Sequence, residues 1–237
     1  MKRDVAIIPF NDRLELVVAC DNSGAIGMKP DDQVAVPYEI VSYYSFRVAF
    51  MECVSAGAVP FSVVLYNFCG DRAWFSLKEG ITKGIRELGL EELSITGSTE
   101  TNFSLSQSAV GISVLGKREK RKEAPLCLTE QMKVAVIGKP LVGNEVIECN
   151  GDVAPLRLFQ WFSRQKKVLA IVPVGSKGIL YELRELFAAQ SLQFSSPLNM
   201  EKTAGPSTCF IVVYDAAAED NIRMRAGRLF HPVQVIT

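Results

Sequence analysis

The sequence predicts an α+β protein made of two domains in succession. Three observations carry this reading. Short apolar runs of strand length alternate with segments whose apolar residues recur at three and four. The alternation occurs twice, on either side of the charged run KREKRKEA at 117–124. The 237 residues, 48% of them hydrophobic, are enough to bury a substantial core.

Taken in order, LELVVACD (14–21) reads as a buried strand and DQVAVP (32–37) as a second. From Tyr38 to Ala56, Val41, Tyr44, Val48, Met51 and Ser55 fall at helical spacing. Gly57 is suited to a left-handed cap there, and Pro60 cannot extend the helix. FSVVLYNF (61–68) is a third strand. Ser76 and Glu79 form a capping box that opens the helix SLKEGITKGIREL, which Gly89 ends. ELSIT, a polar turn GSTETN, and the long strand SQSAVGISVLG (106–116) complete this part. The run 117–124 is expected to be an exposed hairpin tip or domain boundary. Its lysines and arginines are a weaker nucleic-acid patch, since Glu119 and Glu123 interrupt them. Beyond it come MKVAVIG, VAPLRLFQWFSR, KVLAIVPV, GILYELRELFAAQ, CFIVVY, AAEDNIRMRAG and PVQVI. They alternate strand and helix in a second, smaller α+β domain. IGKPLVG at 137–143 lacks the upstream glycine of a P-loop and reads as a strand bend.

Composition restricts the function. Lys plus Arg and Asp plus Glu each total 26, so no global field draws in nucleic acid or an anionic membrane. The apolar patch between Asp4 and Asp12 is too short for a signal peptide or a membrane span, so a cytoplasmic location is expected. The six cysteines lack CxxC spacing. Several, such as Cys20, Cys53 and Cys209, sit in apolar runs and read as small buried hydrophobes in a reducing compartment. One histidine, His231, argues against poly-His metal sites and triad mechanisms, and it is read as structural. Chemistry must then rest on carboxylates, lysines, hydroxyls and backbone amides.

Three clusters offer those groups. In CDNSGAIGMKPDD, Asp21 closes a buried strand, and Gly24, Gly27, Lys29, Asp31 and Asp32 follow. Glycines let amides approach phosphate, a lysine neutralises it, and an aspartate at a strand end suits magnesium. An ordinary Gly/Asp turn has the same composition. In RVAFMECVSAGAVP, Glu52 shares a helix flank with core residues. A metal, Arg47 or a surface position would each relieve its burial, and the helix pattern alone favours the surface. In ITGSTETN, the hydroxyls with Gly97, Ser98, Thr99 and Asn102 suit phosphate and Glu100 suits magnesium, or the segment is a plain polar turn. A fourth segment, VGSKG, places Lys177 before a helix start, where an anion or plain solvent could face it.

DNSGAIGMK, RVAFMECVSAGAVP, ITGSTETN, VPVGSKGILYEL and CFIVVYDAAAEDNIRMRAG occur in the order found in the aminoimidazole ribonucleotide synthetase and thiamine-monophosphate kinase (PurM-like) superfamily, which the chain resembles. The resemblance implies a PurM-like two-domain architecture. An N-terminal ferredoxin-like half-barrel unit (1–120) would bind ATP and Mg2+, and a shortened C-terminal domain (121–237) would follow. It implies phosphoryl transfer without a histidine. Asp21 falls on the first metal aspartate, Lys29 on the motif lysine, Glu52 on the helix acid, and Gly97 to Glu100 on the glycine-acid turn. That makes Asp21 and Lys29 the catalytic pair, and Asp21, Glu52 and Glu100 the metal set. Gly24, Gly27, Gly97, Ser98, Thr99 and Asn102 would be cofactor contacts, with Lys177 facing the acceptor. The sequence departs from the family where Glu52 replaces an aspartate, where Thr99 precedes the acid, and where VGSKG lacks the usual aspartate and triple glycine.

The chain looks most like the small α-ribazole kinases of cobalamin lower-ligand salvage. The expectation is therefore an ATP-dependent kinase of a nucleoside-like acceptor, with no nucleic-acid or membrane partner. It would be a homodimer through its N-terminal domain. A ligase or cyclase resembling aminoimidazole ribonucleotide synthetase, and a non-catalytic nucleotide-binding dimer, are the alternatives.

Overall fold

A computed structural model describes residues 5–90, 92–121 and 124–236. The described chain forms two compact units, 5–120 and 121–236, of nearly equal length, so the second is not the smaller one expected.

The first unit runs β1 (Val5–Pro9), β2 (Leu14–Gly24), β3 (Ile26–Gly27), β4 (Val34–Ala35), α1 (Tyr38–Ser55), β5 (Val59–Asn67), α2 (Trp74–Leu88), β6 (Ser94–Thr99) and β7 (Ala109–Glu119). Five strands form one sheet in the order β1-β2-β7-β5-β6, antiparallel except for the β5–β6 pair. Alternate residues of β2, β5 and β7 (Val17 and Ala19, Val63 and Leu65, Ile112 and Val114) are buried against α1. The helix answers with Phe46, Phe50 and Met51, and α2 adds Leu77, Ile81 and Ile85. The opposite sheet face is open: Cys20, Asn22, Tyr66, Thr96 and Ser98 are exposed, and Leu16 and Val18 are half-buried. Buried Arg118 ties this unit together, bonding Glu15 Oε2 through Nε (2.8 Å) and the Ala56 carbonyl at the end of α1 through Nη1 (2.7 Å).

Several expectations change here. β1 was unforeseen: its Ile7 and Ile8 are exposed on an edge strand, where no alternation marks them. The strand at 32–37 shrinks to Val34–Ala35, paired in parallel with Ile26–Gly27. α2 starts at Trp74, two residues before Ser76, and its N-cap Ala73 makes no side-chain cap bond. The capping box therefore does not form, and Glu79 pairs with Arg86 instead (2.9 Å). The turn at 97–99 belongs to β6. β7 starts later than expected and continues through Lys117–Glu119, so Arg118 is core rather than hairpin tip. Asp4, Lys122 and Glu123 lie outside the described residues. Cys20 is exposed, whereas Cys53 and Cys209 are buried as expected.

The second unit runs β8 (Met132–Ile137), α3 (Glu145–Glu148), α4 (Leu156–Ser163), β9 (Val168–Pro173), α5 (Gly178–Leu186), β10 (Gln193–Ser195), β11 (Phe210–Asp215), α6 (Glu219–Ala226) and β12 (Phe230–Ile236). Its sheet, β10-β12-β8-β11-β9, is wholly antiparallel. One face packs Val134, Val136, Ile211 and Val213 against Ile179, Leu183 and Leu186 of α5. The other carries Phe210, against which Phe159 and Phe162 of α4 stack edge-on at 5.2 and 5.6 Å. α6 joins this face, with Arg223 4.2 Å above the Phe230 ring and Arg225 5.4 Å from Trp161. α5 ends at Leu186, short of the expected 190. His231 sits in β12 opposite Val136, with burial holding its pKa below the usual value. Among the described residues, no helix is long and apolar enough to cross a membrane.

Candidate active site

Strand register gathers the candidate residues. Across the first sheet, Asp21 pairs with Ile112, Ile112 with Leu65, and Leu65 with Gly97. Two residues further on, Ser23, Val110, Asn67 and Thr99 form a second row. The C-terminal ends of β2, β5 and β6 therefore share one end of the sheet with the start of β7. The glycine-rich segment after β2 lies at that end, held by Ala25 N–H to the Ser108 carbonyl (2.8 Å).

Asp21 is half-buried on the helix side of β2, where the Ser45 hydroxyl and the Asn22 amide bond it. Burial pushes its carboxyl up to about 7, against those two weaker stabilising bonds. Both of these partners are uncharged. A divalent ion fits there, because it would supply the charge that makes an ionised Asp21 favourable.

Lys29 donates from Nζ to the Phe68 carbonyl (3.1 Å), which places its ammonium at the end of β5. Asp32 resists burial by accepting from the Ser108 amide (2.7 Å), the Ser108 hydroxyl (2.7 Å) and the Lys29 amide (2.8 Å), and its carboxyl is held below the usual range. Asp31 is exposed. Gly27 is required where it stands: a Cβ there would lie 2.5 Å from Ser108 Oγ and 2.7 Å from the Tyr38 ring. Gly24, by contrast, has open space about it.

On β6, a Cβ on Gly97 would run into the Leu65 carbonyl, so this glycine serves the close β5–β6 pairing as well as any ligand. Thr99 Oγ1 accepts from Asn67 Nδ2 (3.0 Å), while Ser98 and Asn102 are exposed. Glu100 turns back on its own loop, accepting from the Asn102 amide (2.6 Å) and the Phe103 amide (3.2 Å).

The three acids of the expected metal set are not brought together. Three strand spacings, about 14 Å, separate the backbone at Asp21 from that at Gly97, on the strand leading to Glu100. Glu52 follows Ser45 by two helical turns, about 10 Å along α1. Its neighbour Cys53 lies over Gly116, which pairs with Val17, four strand positions before Asp21. Among the described residues, no group of three or more His, Cys, Asp or Glu side chains forms a metal cage. In the second unit, Lys177 precedes α5 and lies along it, with Nζ 3.1 Å from Tyr181 Oη and 4.2 Å from the ring centre.

Sequence reasoning missed Asn67, Ser108 and Ser45. Asn67 is 1% exposed and links three segments, bonding the Gly70 carbonyl (3.0 Å), Thr99 Oγ1 and the Cys69 amide (2.8 Å). The one available signal was an asparagine closing the apolar run FSVVLYN three residues before Gly70.

No family model and no curated protein matches the sequence. Solved structures do match. Thiamine monophosphate kinase from Aquifex aeolicus aligns with 99% of this chain and 89% of its own, at a TM-score of 0.64 and 9% identity. E. coli HypE, a hydrogenase maturation protein, aligns with 92% of this chain and 80% of its own, at 0.62 and 11%. T. maritima PurL complexed with ATP aligns with 98% of this chain at 0.61 and 14%, and the chain spans only 42% of that protein's length. The chain shares its fold with these three structures.

Proposed function

We propose that the chain is an ATP- and Mg2+-dependent kinase of a small nucleoside-like acceptor, with α-ribazole the acceptor we favour. One observation carries the reading: a desolvated aspartate bonded by two uncharged groups and a lysine ammonium stand at the same end of the first sheet. The neighbours' ligands point the same way, since the A. aeolicus kinase was solved with AMPPCP and TMP and T. maritima PurL with ATP.

In this reading the first unit, residues 1–120, holds the nucleotide. Lys29 offers its remaining ammonium hydrogens to phosphate oxygens, and the amides around Gly24 and Ser98 approach the same groups. Asp21 is the principal magnesium ligand. Bound magnesium would neutralise charge on the phosphates as the transferred group leaves. Glu100 commits Oε1 to its own turn and Glu52 is remote, so Asp21 carries most of the metal role in this reading. In the same reading Lys177 is the residue of 121–237 that contacts acceptor, and it would leave Tyr181 to do so. The open face of the first sheet, with Leu16, Val18 and Tyr66, suits a homodimer, and a cytoplasmic location follows from the same reading.

The test is to incubate the pure protein with Mg-ATP and a panel containing α-ribazole, thiamine monophosphate and aminoimidazole precursors. A phosphorylated nucleoside is expected, and Asp21→Asn and Lys29→Met should each lower turnover at least about a hundredfold. No transfer to any acceptor would sink the kinase reading. Phosphate release with a cyclised product would favour the ligase or cyclase alternative. The engagement of Glu100 in its own loop favours one second reading, a dimer that binds nucleotide without transferring phosphate. Calorimetry would then show ATP binding with no turnover.

A further inference from the structure

We infer that Asp32 is a positioning residue for Lys29, pinning the glycine-rich loop through Ser108 so that the lysine ammonium stays at the end of β5. The inference rests on the nucleotide-binding reading for its purpose, but its geometry stands apart from it.

Both Asp32 oxygens are committed. Oδ1 accepts from the Ser108 amide, and Oδ2 from the Ser108 hydroxyl and the Lys29 amide, at 2.7–2.8 Å. A carboxylate used in this way is a post rather than a metal ligand. Ser108 is 1% exposed, and its hydroxyl also meets Tyr38 Oη at 3.1 Å, which anchors the post to the start of α1. Lys29 therefore has its backbone fixed by Asp32, three residues on, and its ammonium on the Phe68 carbonyl, 39 residues on. Phe68 follows Asn67, whose amide holds Thr99. The clamp thus sets where the one lysine of this loop sits relative to the β5 and β6 ends. Shortening the reach of a flexible side chain in this manner lowers the ordering cost of binding an anion.

Asp32→Asn keeps the shape but cannot accept all three bonds. The Ala25–Ser108 and Gln107–Asp31 bonds do not involve the Asp32 side chain, so the loop should keep its course. Calorimetry should show Mg-ATP affinity about tenfold weaker in Asp32→Asn, with adenosine affinity unchanged, because only phosphate contacts pass through Lys29. Lys29→Met should lose at least as much, and the double variant no more than Lys29→Met alone. Losses that multiply in the double variant, or an Asp32→Asn protein with full ATP affinity, would overturn the inference.

A second measurement needs no nucleotide. In protein carrying 15N-lysine, the Lys29 ammonium signal, assigned by its loss in Lys29→Met, should show a clear fall in order in Asp32→Asn and in Ser108→Ala. Unchanged order in both would overturn the positioning role even if ATP binds. Wild-type protein that binds no ATP yet shows the fall in order would retain the clamp and refute the nucleotide reading.

Discussion

The two sheets differ in how they are covered, and in what that cover leaves unsatisfied. The second sheet is a middle layer, with α5 on one face and α4 and α6 on the other, so Phe210 to Tyr214 of β11 are buried without a break. Within its own unit the first sheet is covered by helices on one face only, and β2 and β5 alternate between buried and more exposed positions. Both units hold ion pairs, Lys139 with Asp152 at 2.9 Å and Arg223 with Glu219 at 2.8 Å in the second and Arg118 with Glu15 at 2.8 Å in the first. In the first unit an acid, Asp21, is set in the inner layer between apolar rows and bonded by two uncharged groups. Such a cost is ordinarily removed by substitution unless a ligand meets it. The contrast assigns packing stability to the second unit and a stored electrostatic cost to the first.

The largest expected effect tests the packed side of this contrast. Phe159 is fully buried, and its ring meets Phe210 edge-on at 5.2 Å in the second face of the sheet. Phe159→Ala should cost about 3–5 kcal/mol, from lost burial plus the cavity left behind. Denaturant unfolding should register it, and amide exchange should quicken across β8, β9 and β11. A cost below about 1 kcal/mol would mean that α4 is not a packing layer, and the contrast would fail.

The next effect reads the stored cost directly. Burial raises the Asp21 carboxyl from 3.8 to about 7 in the folded protein. Between those values the folded state keeps a proton that the unfolded chain has released. The stability associated with Asp21 is therefore full below about pH 4 and falls as pH rises toward about 7. Asp21→Asn removes this slope. The variant should match the wild type at pH 4 and exceed it at pH 8 by on the order of 2–4 kcal/mol, allowing for partial solvent access. Thermal unfolding at the two pH values checks it, and a difference independent of pH would place the cost elsewhere.

What could be read from the sequence divides along the same line. Local signals were legible: α1 spans Tyr38–Ser55 as its periodicity requires, and Gly57 and Gly89 follow the two long helices in left-handed conformations. Asp21 was legible because an acid closes an apolar run. The clamp was not. Asp32 meets Ser108 across 76 positions, and Asn67 meets Thr99 across 32, contacts that only strand order creates. For the same reason Glu52 and Glu100 could be named as acids but not placed. One lies two helical turns past Ser45, and the other is folded into its own turn.

The smallest expected effect concerns a local signal that misled. Ser76 and Glu79 have the spacing of a capping box, and a true N-cap serine loses about 1 kcal/mol on truncation. Here a short 3-10 turn, Asp71–Ala73, feeds straight into α2, so the helix has already begun when the chain reaches Ser76. Tertiary packing selects this earlier start: Ala73 and Leu77 are buried, at 3% and 0% exposure, and share the inner stripe of the helix four positions apart. Serine is a slightly poorer interior helix former than alanine, so Ser76→Ala should be neutral or stabilising, by no more than about 0.5 kcal/mol. Equilibrium unfolding separates the two cases by sign. A loss near 1 kcal/mol would mean that α2 frays back to Ser76 in solution, and that sequence-local capping outweighs burial of Ala73 at this end of the first unit.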